Sequence, residues 1–505
     1  MSELVDRFAR IARDSPDRTV IHVPSTRETL SAAELLARAG VLAAALERAG
    51  IAAGSLVALA TGNHPATLAA WLACRRLDLA LMPVDRGVTD AEMRELTATF
   101  GPCAVLASDS GGAPPAGIAP PGGTAPGRAI APGARLQLVE GRHARPGRYA
   151  GAAVLKLTSG TTGQPKATWT TEPQLVADAD HIVRGMGILA GDVQLAVIPL
   201  SHSYGIGNLV LPLLLQGTSV VLRDSFVPHQ VPLDARTSGA RVLCGVPYMF
   251  EHFLEHPPAA GWPPSLGLLI SAGARLDASV RLRFHAALGV SIHTFYGTSE
   301  TGGIAFDAEE VTPADAAVAE GIVGRPLPGV SVELRPIDLG EPSAGRIHVR
   351  SAAVSSGYAG PGAESDSFVD GGFLTGDIAR FDADGRLVLT GRLSSFVNVA
   401  GRKVQPEEVE RVLRSMPQVA EAHVCGVPDA TRGELLVACL VARGAPPSIF
   451  EVRQHCSRHL SPYKVPRWLL LLDALPRTER GKLDRRHLQE LVVAAMARSR
   501  PDDVT

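Results

Sequence analysis

Leu157-Thr158-Ser159-Gly160-Thr161-Thr162-Gly163-Gln164-Pro165-Lys166 is the stretch from which the rest of the chain is read. Its two glycines permit a sharply bent backbone, and Pro165 fixes the exit. Thr158, Ser159, Thr161 and Thr162 place four hydroxyls around the bend, and Lys166 adds an ammonium. Consecutive N–H groups in a Gly-rich turn form an anion-binding concavity, which hydroxyls and an ammonium complete with charge-assisted bonds. Such a loop is expected to hold phosphate, delivered by the apolar Ala153-Val154-Leu155 run as a buried strand. It is not a Walker A loop, because Lys166 follows Pro165 and precedes Ala167 where that pattern needs Gly-Lys-Ser/Thr. Any three of these residues taken alone read as an ordinary surface turn.

At 505 residues the chain exceeds one ordinary core, so two or more domains are expected. With 46% hydrophobic and 20% charged residues and a net charge of −2, it has the composition of a soluble globular protein and no basic excess for nucleic acid. Met1–Arg7 carries acids where an export signal places basic and then apolar residues. The apolar runs Leu209–Leu215 and Leu435–Ala442 fall short of the roughly 18 residues of a membrane span. Six cysteines without a CxxC pair argue against zinc and against a disulfide framework. A cytoplasmic protein is expected.

From Leu4 to about Ala107 helical and apolar β patterns alternate: Ser31 caps a helix to Arg48, Leu56–Ala60 reads as a strand, and Pro65–Arg75 as a helix. This alternation predicts a parallel sheet flanked by helices. Residues 109 to 134, rich in Gly, Pro and Ala, read as a mobile excursion rather than a packed element. Strands return at Gln194–Ile198, Ser219–Leu222, Val242–Val246 and Leu268–Ile270. Between Val330 and Leu389 the segments become short and β-like, with Asp384-Gly385 as a hairpin turn. Beyond Gly391-Arg392 a helix at Pro406–Leu413, strands at Ala422–Val427 and Leu435–Val441, and a helix at Ser448–His459 predict a small α+β unit.

Two further constellations carry chemistry. Pro199-Leu200-Ser201-His202-Ser203-Tyr204-Gly205 places a histidine after a buried strand, a position that spacing alone leaves structural. Thr294-Phe295-Tyr296-Gly297-Thr298-Ser299-Glu300-Thr301-Gly302 misses the Gly-x-Ser-x-Gly elbow because Thr301 stands at the last glycine, which removes the main support for a serine hydrolase. It offers instead a glycine turn with hydroxyls and one carboxylate, the kind of group Mg²⁺ takes while bridging ATP phosphates. His252-Phe253-Leu254-Glu255-His256 fits a His-x-x-Glu-His zinc string, but Pro257-Pro258 ends that helix and it reads as a solvated helix end.

Taken whole, the Thr158–Lys166 loop resembles the signature loop of the adenylate-forming superfamily, which includes acyl-CoA synthetases, nonribosomal adenylation domains and luciferases. The resemblance is closest to acyl- or aryl-CoA ligases and extends in family order from Thr158 to Leu475-Pro476-Arg477-Thr478-Glu479-Arg480-Gly481-Lys482. It implies an α/β fold: a large multi-subdomain N-terminal domain with mixed parallel sheets and a β-rich subdomain (1–392), and a small mobile α+β C-terminal lid (393–505). It implies that Thr158, Ser159, Gly160, Thr161, Thr162, Gly163 and Lys166 hold ATP phosphates, that Thr298 touches the α-phosphate, Glu300 magnesium and Tyr296 with Gly297 the adenine side. Gly273 and Ala274 would meet adenine, Asp377 the ribose hydroxyls, Arg392 ribose or phosphate, and Lys482 would be catalytic.

His202, Tyr204, Tyr248 and Ala272 would line an acyl pocket. With no acidic residue between His202 and Gln216, an α-amino acid substrate is disfavoured, and an aryl or medium acyl group is expected. The implied reaction has two steps: a carboxylate attacks the α-phosphorus of MgATP, giving acyl-AMP and pyrophosphate, and a thiol then displaces AMP. The lid would rotate between steps about Ser394, where the family usually has Asp or Lys, bringing Gly401 to line the thiol tunnel. CoA is the expected acceptor. Three alternatives stand beside it: loading of a phosphopantetheine carrier protein, a luciferase-like oxidase, and a degenerate binding protein.

Overall fold

The computed structural model describes residues 2–86, 88–108, 128–139, 145–158, 165–310, 321–337, 343–360, 366–393, 397–399, 402–404, 406–429, 433–460, 464–478 and 483–498. The chain forms two compact units. The first comprises Met1–Glu333, His348–Leu374 and Ala383–Leu387, and the second Leu334–Ile347, Thr375–Asp382 and Val388–Thr505. The fold is mixed α/β, with a large N-terminal part built on mixed sheets and a small C-terminal part.

In the first unit an eight-stranded sheet runs Gly357–Ala359, Lys166–Thr170, Val154–Thr158, Ala80–Pro83, Leu56–Ala60, Ala104–Ser108, Ala134–Leu138, Arg128–Ala131. Its centre is parallel, and Leu56–Ala60 and Ala80–Pro83 are buried throughout, as the continuous apolar runs require. Helix Ala32–Arg48 precedes these strands and Pro65–Arg76 connects them. Ser31 caps the first through a complete capping box with Glu34.

The hairpin Arg128–Ala131 and Ala134–Leu138 corrects the expectation for 109–134. Its strands pair with each other around a Pro132-Gly133 turn, where Gly133 takes φ of 73°, and Ala134–Leu138 pairs in turn with Ala104–Ser108. The Gly/Pro signal that read as an excursion is a tight turn. Residues 109–127 lie outside the described residues.

A second sheet in this unit has parallel strands Thr19–Val23, Ser219–Leu222, Val193–Ala196, Val242–Gly245, Leu268–Ser271 and Ile292–Thr298. Gly302–Phe306 and Ile322–Pro326 continue it antiparallel. Ligands of open parallel sheets bind outside the carboxyl ends of the strands. His202 and Tyr204, Tyr248, and Ala272 to Ala274 all follow such ends.

The second unit contains the sheet of Arg402–Val404, Val397–Val399, Gly433–Ala442 and Val419–Asp429, with Trp468–Leu472 parallel to Gly433–Ala442. Helices Pro406–Arg414 and Ile449–His459 pack on it through Val409, Leu413, Val452 and Cys456. Among the described residues no helix is long and apolar enough to cross a membrane.

Candidate active site

The site in the first unit is built where two hairpins meet. The Gly-rich loop is the connection of the hairpin Val154–Thr158 and Lys166–Thr170, whose last pair is Thr158 with Lys166. Thr158 Oγ1 donates to the Lys166 carbonyl at 3.3 Å, closing the mouth of the loop. Ser159, Gly160, Thr161, Thr162 and Gly163 lie outside the described residues.

The second hairpin joins Ile292–Thr298 to Gly302–Phe306, with Ser299, Glu300 and Thr301 at its tip. Gly297 has a packing reason: a Cβ there would stand 2.5 Å from the Gly302 carbonyl oxygen. Thr298 Oγ1 accepts from Thr301 N at 3.3 Å and lies 3.1 Å from the Thr301 hydroxyl, so it organises the tip. Tyr296 is buried on the same strand.

The tip is moored from several sides. Ser203 and Ser299 share a hydroxyl contact of 2.7 Å, and Thr168 Oγ1 donates to the Ser299 carbonyl at 3.4 Å. Ser355 N donates to the Glu300 carbonyl at 2.7 Å. The Tyr358 hydroxyl donates to Glu300 Oε1 at 2.7 Å, and its ring lies 6.0 Å from the Lys166 ammonium. The structure thus brings together Thr158, Lys166, Thr298 and Glu300, and adds Tyr358, which no sequence pattern marked.

The donor set fits a hard cation in a limited way. Glu300 presents carboxylate oxygen beside threonine hydroxyls, and among the described residues no group of three His, Cys, Asp or Glu could hold a metal by itself. A magnesium ion there would need substrate phosphate oxygens to complete its shell, as it commonly does.

Around the expected acyl pocket, Tyr204 donates to the Ile270 carbonyl at 2.9 Å and its ring meets Phe295 at 5.8 Å. Burial holds its hydroxyl protonated well above the usual phenol range, and pushes the neighbouring Cys244 thiol up to about 12, so both are neutral there. Helix Ser203–Gly205 opens into a π-helical turn at Ile206–Val210. His202 Nε2 lies 3.4 Å from Asp85 Oδ2, a partner that sequence spacing did not indicate. Ala272 N donates to the Gly245 carbonyl at 3.1 Å, and Gly273 takes φ of 81°, a left-handed conformation that glycine supplies without strain. Tyr248 stands on helix Pro247–Glu255 with its ring edge-on to Phe226.

In the second unit, Arg392 Nε pairs with Asp377 Oδ1 at 3.0 Å, and Asp377 N donates to Thr375 Oγ1 at 3.1 Å. Ser394, Gly401 and Lys482 lie outside the described residues. The flanks of the Lys482 segment do meet: Arg477 and Leu483 form an antiparallel bridge.

The chain matches the AMP-binding enzyme family over residues 8–359 and the AMP-binding enzyme C-terminal domain over residues 408–482. It belongs to this family. Among curated proteins it is 30% identical to a feruloyl-CoA synthase from Amycolatopsis, over 94% of this chain and 96% of that one. It is 29% identical to an indoleacetate–CoA ligase from Aromatoleum aromaticum, over 97% and 98%. Among solved structures, the amide bond synthetase McbA from Marinactinospora thermotolerans superposes with a TM-score of 0.80 at 28% identity, covering 97% of this chain and 99% of that one. ATP-bound MatB from Rhodopseudomonas palustris gives 0.78 at 25%, over 97% and 99%.

Proposed function

We propose that this chain is an AMP-forming acid–thiol ligase that activates a carboxylic acid as acyl-AMP, with release of pyrophosphate, and transfers the acyl group to CoA. One observation carries the reading: Tyr358 joins the mouth of the phosphate loop at Lys166 to the Glu300 carboxylate. A phosphate-holding lysine and a metal-holding carboxylate set on one tyrosine form a polyphosphate site beside the carboxyl ends of the parallel strands.

The loop from Thr158 to Lys166 holds the β- and γ-phosphates through N–H groups, hydroxyls and the ammonium. Glu300 would hold a magnesium ion, which would supply positive charge to offset that of the phosphates. Thr298 bonds the α-phosphate, Tyr296 and Gly297 with Gly273 and Ala274 border adenine, and Asp377 and Arg392 take the ribose side. The substrate carboxylate attacks the α-phosphorus, and pyrophosphate leaves. Lys482 donates to the carboxylate and to the bridging oxygen as charge shifts there, a positioning and electrostatic role. Residues 1–392 form the core and 393–505 the lid, which turns about Ser394 so that Gly401 lines the thiol tunnel for the second step. His202, Tyr204, Tyr248 and Ala272 line a pocket for an aryl or medium acyl group.

ATP–pyrophosphate exchange over a panel of aryl and alkyl acids tests the first step. Absence of exchange with every acid overturns the reading. Thioester formation with CoA is then compared with a holo-carrier protein and with an amine acceptor. Near-full-length relatives named indoleacetate–CoA ligase and feruloyl-CoA synthase support CoA.

A further inference from the structure

Asn63 stands just past the carboxyl end of strand Leu56–Ala60 in the eight-stranded sheet, and its amide reaches across to the other sheet of the first unit. Its Nδ2 donates to the carbonyls of Ala196 at 3.1 Å, Ile198 at 2.9 Å and Arg223 at 2.9 Å, and its Oδ1 accepts from Leu200 N at 2.8 Å. Three carbonyls share two amide hydrogens while the oxygen takes a fourth bond, so both ends of the amide are engaged. The residue is 8% exposed. Leucine would keep its volume and lose every one of these bonds, and aspartate would keep only the acceptor.

The loop that presents Asn63 is itself fixed. Thr67 Oγ1 donates to the Gly62 carbonyl at 2.6 Å and meets the Thr61 hydroxyl at 2.6 Å, while His64 Nδ1 accepts from Ala66 N at 3.1 Å. The segment it holds carries the histidine of the expected acyl pocket. Leu200 enters a turn that His202 N closes on the Pro199 carbonyl at 3.3 Å. His202 Nε2 then lies 3.4 Å from Asp85 Oδ2, past the end of strand Ala80–Pro83, so the ring sits at the seam between the two sheets. Beside it Arg86 Nη1 pairs with Asp224 Oδ2 at 2.8 Å across the same seam.

We propose that Asn63 is a positioning residue for the acid: by pinning Leu200 N and the carbonyls around it, its amide sets the Pro199–His202 turn and with it the His202 ring. This rests on the place given to His202 in the acyl pocket above. A tie that only joined the sheets would act on acid and nucleotide alike. Here the two separate, because the Glu300 tip has moorings at Thr168, Ser355 and Tyr358 that do not pass through this turn.

The test is a double-mutant cycle of Asn63→Leu and His202→Ala, with Asn63→Asp, which keeps an acceptor for Leu200 N, carried through the same cycle as the milder change. Pyrophosphate exchange by the parent over the acid panel tests the function reading separately. Its failure with every acid condemns that reading and leaves the hydrogen-exchange measurement below to decide on the clamp. Each single variant is expected to lower kcat/KM for the acid about tenfold, the size of one hydrogen bond, and the double variant to fall no further than the worse single. Calorimetric ATP affinity without acid should stay within about twofold of the parent. Losses that multiply in the double variant, or an ATP affinity that falls as far as kcat/KM for the acid, overturn the proposal. Hydrogen exchange of the amides in 196–206, on the full chain, should quicken in Asn63→Leu while Val242–Gly245 keeps its protection. Unchanged protection of 196–206 overturns the proposal whatever the activity.

Discussion

The Tyr358 hydroxyl donates to Glu300 Oε1 at 2.7 Å while the same ring lies 6.0 Å from the Lys166 ammonium. Removing the hydroxyl alone tests whether this link matters to the nucleotide. Tyr358→Phe keeps the ring and its packing on Phe368 at 5.3 Å. A hydrogen bond to a charged group contributes about 1.5–3 kcal/mol, so kcat/KM for MgATP in pyrophosphate exchange should fall by roughly ten- to a hundredfold. An unchanged kcat/KM would detach Tyr358 from the site.

Lys482 is expected to serve only the first half-reaction. Lys482→Ala should slow acyl-AMP formation by on the order of 10²–10³, comparable to the loss of one preorganised oxyanion donor. Thioester formation from supplied acyl-AMP should be spared. Equal loss in both steps would remove the rotating lid from the account.

The parts of this site that were legible in the sequence are local in the chain. Thr158 and Lys166 pair at the mouth of one hairpin and Tyr296 to Gly302 belong to another, so the partners are near neighbours in the chain. Tyr358 and Asp178 reach the Glu300 tip from segments 58 residues after it and 125 residues before Gly303, and no periodicity encodes such contacts. The Pro132-Gly133 hairpin was obscured because turn residues and disordered segments share a composition.

The base of the Glu300 hairpin rests on a buried ion pair. Arg281 Nη1 meets Asp307 Oδ2 at 2.8 Å with both side chains 3% exposed, and Arg281 Nε donates to the Ile292 carbonyl at 3.0 Å. Arg281→Met leaves the Asp307 charge uncompensated and should destabilise the first unit by about 3–5 kcal/mol. Adding Asp307→Asn should restore much of that loss. Urea unfolding followed by tryptophan fluorescence reads both, and a single variant as stable as the parent would deny the pair its role.

The second unit carries an acid-sensitive contact. Glu410 on helix Pro406–Arg414 lies 2.8 Å from His423 Nδ1, and it accepts from Val424 N at 2.9 Å. Burial would raise its carboxyl, but the histidine bond and charge and the backbone donor hold it below the ordinary value of 4.5. A carboxyl lowered in the folded state contributes stability that is fully present above 4.5 and is lost as pH falls through the folded value. Glu410→Gln should therefore be less protected than the parent at pH ~6, and the gap should close progressively below about 4.5, where the parent's carboxyl takes up its proton. Hydrogen exchange of the amides in Val419–Asp429, measured on the full chain with rates corrected for pH, follows this region directly. A gap that stays constant down to pH ~3 would mean that the ionised carboxylate contributes nothing and that Glu410 acts through packing alone.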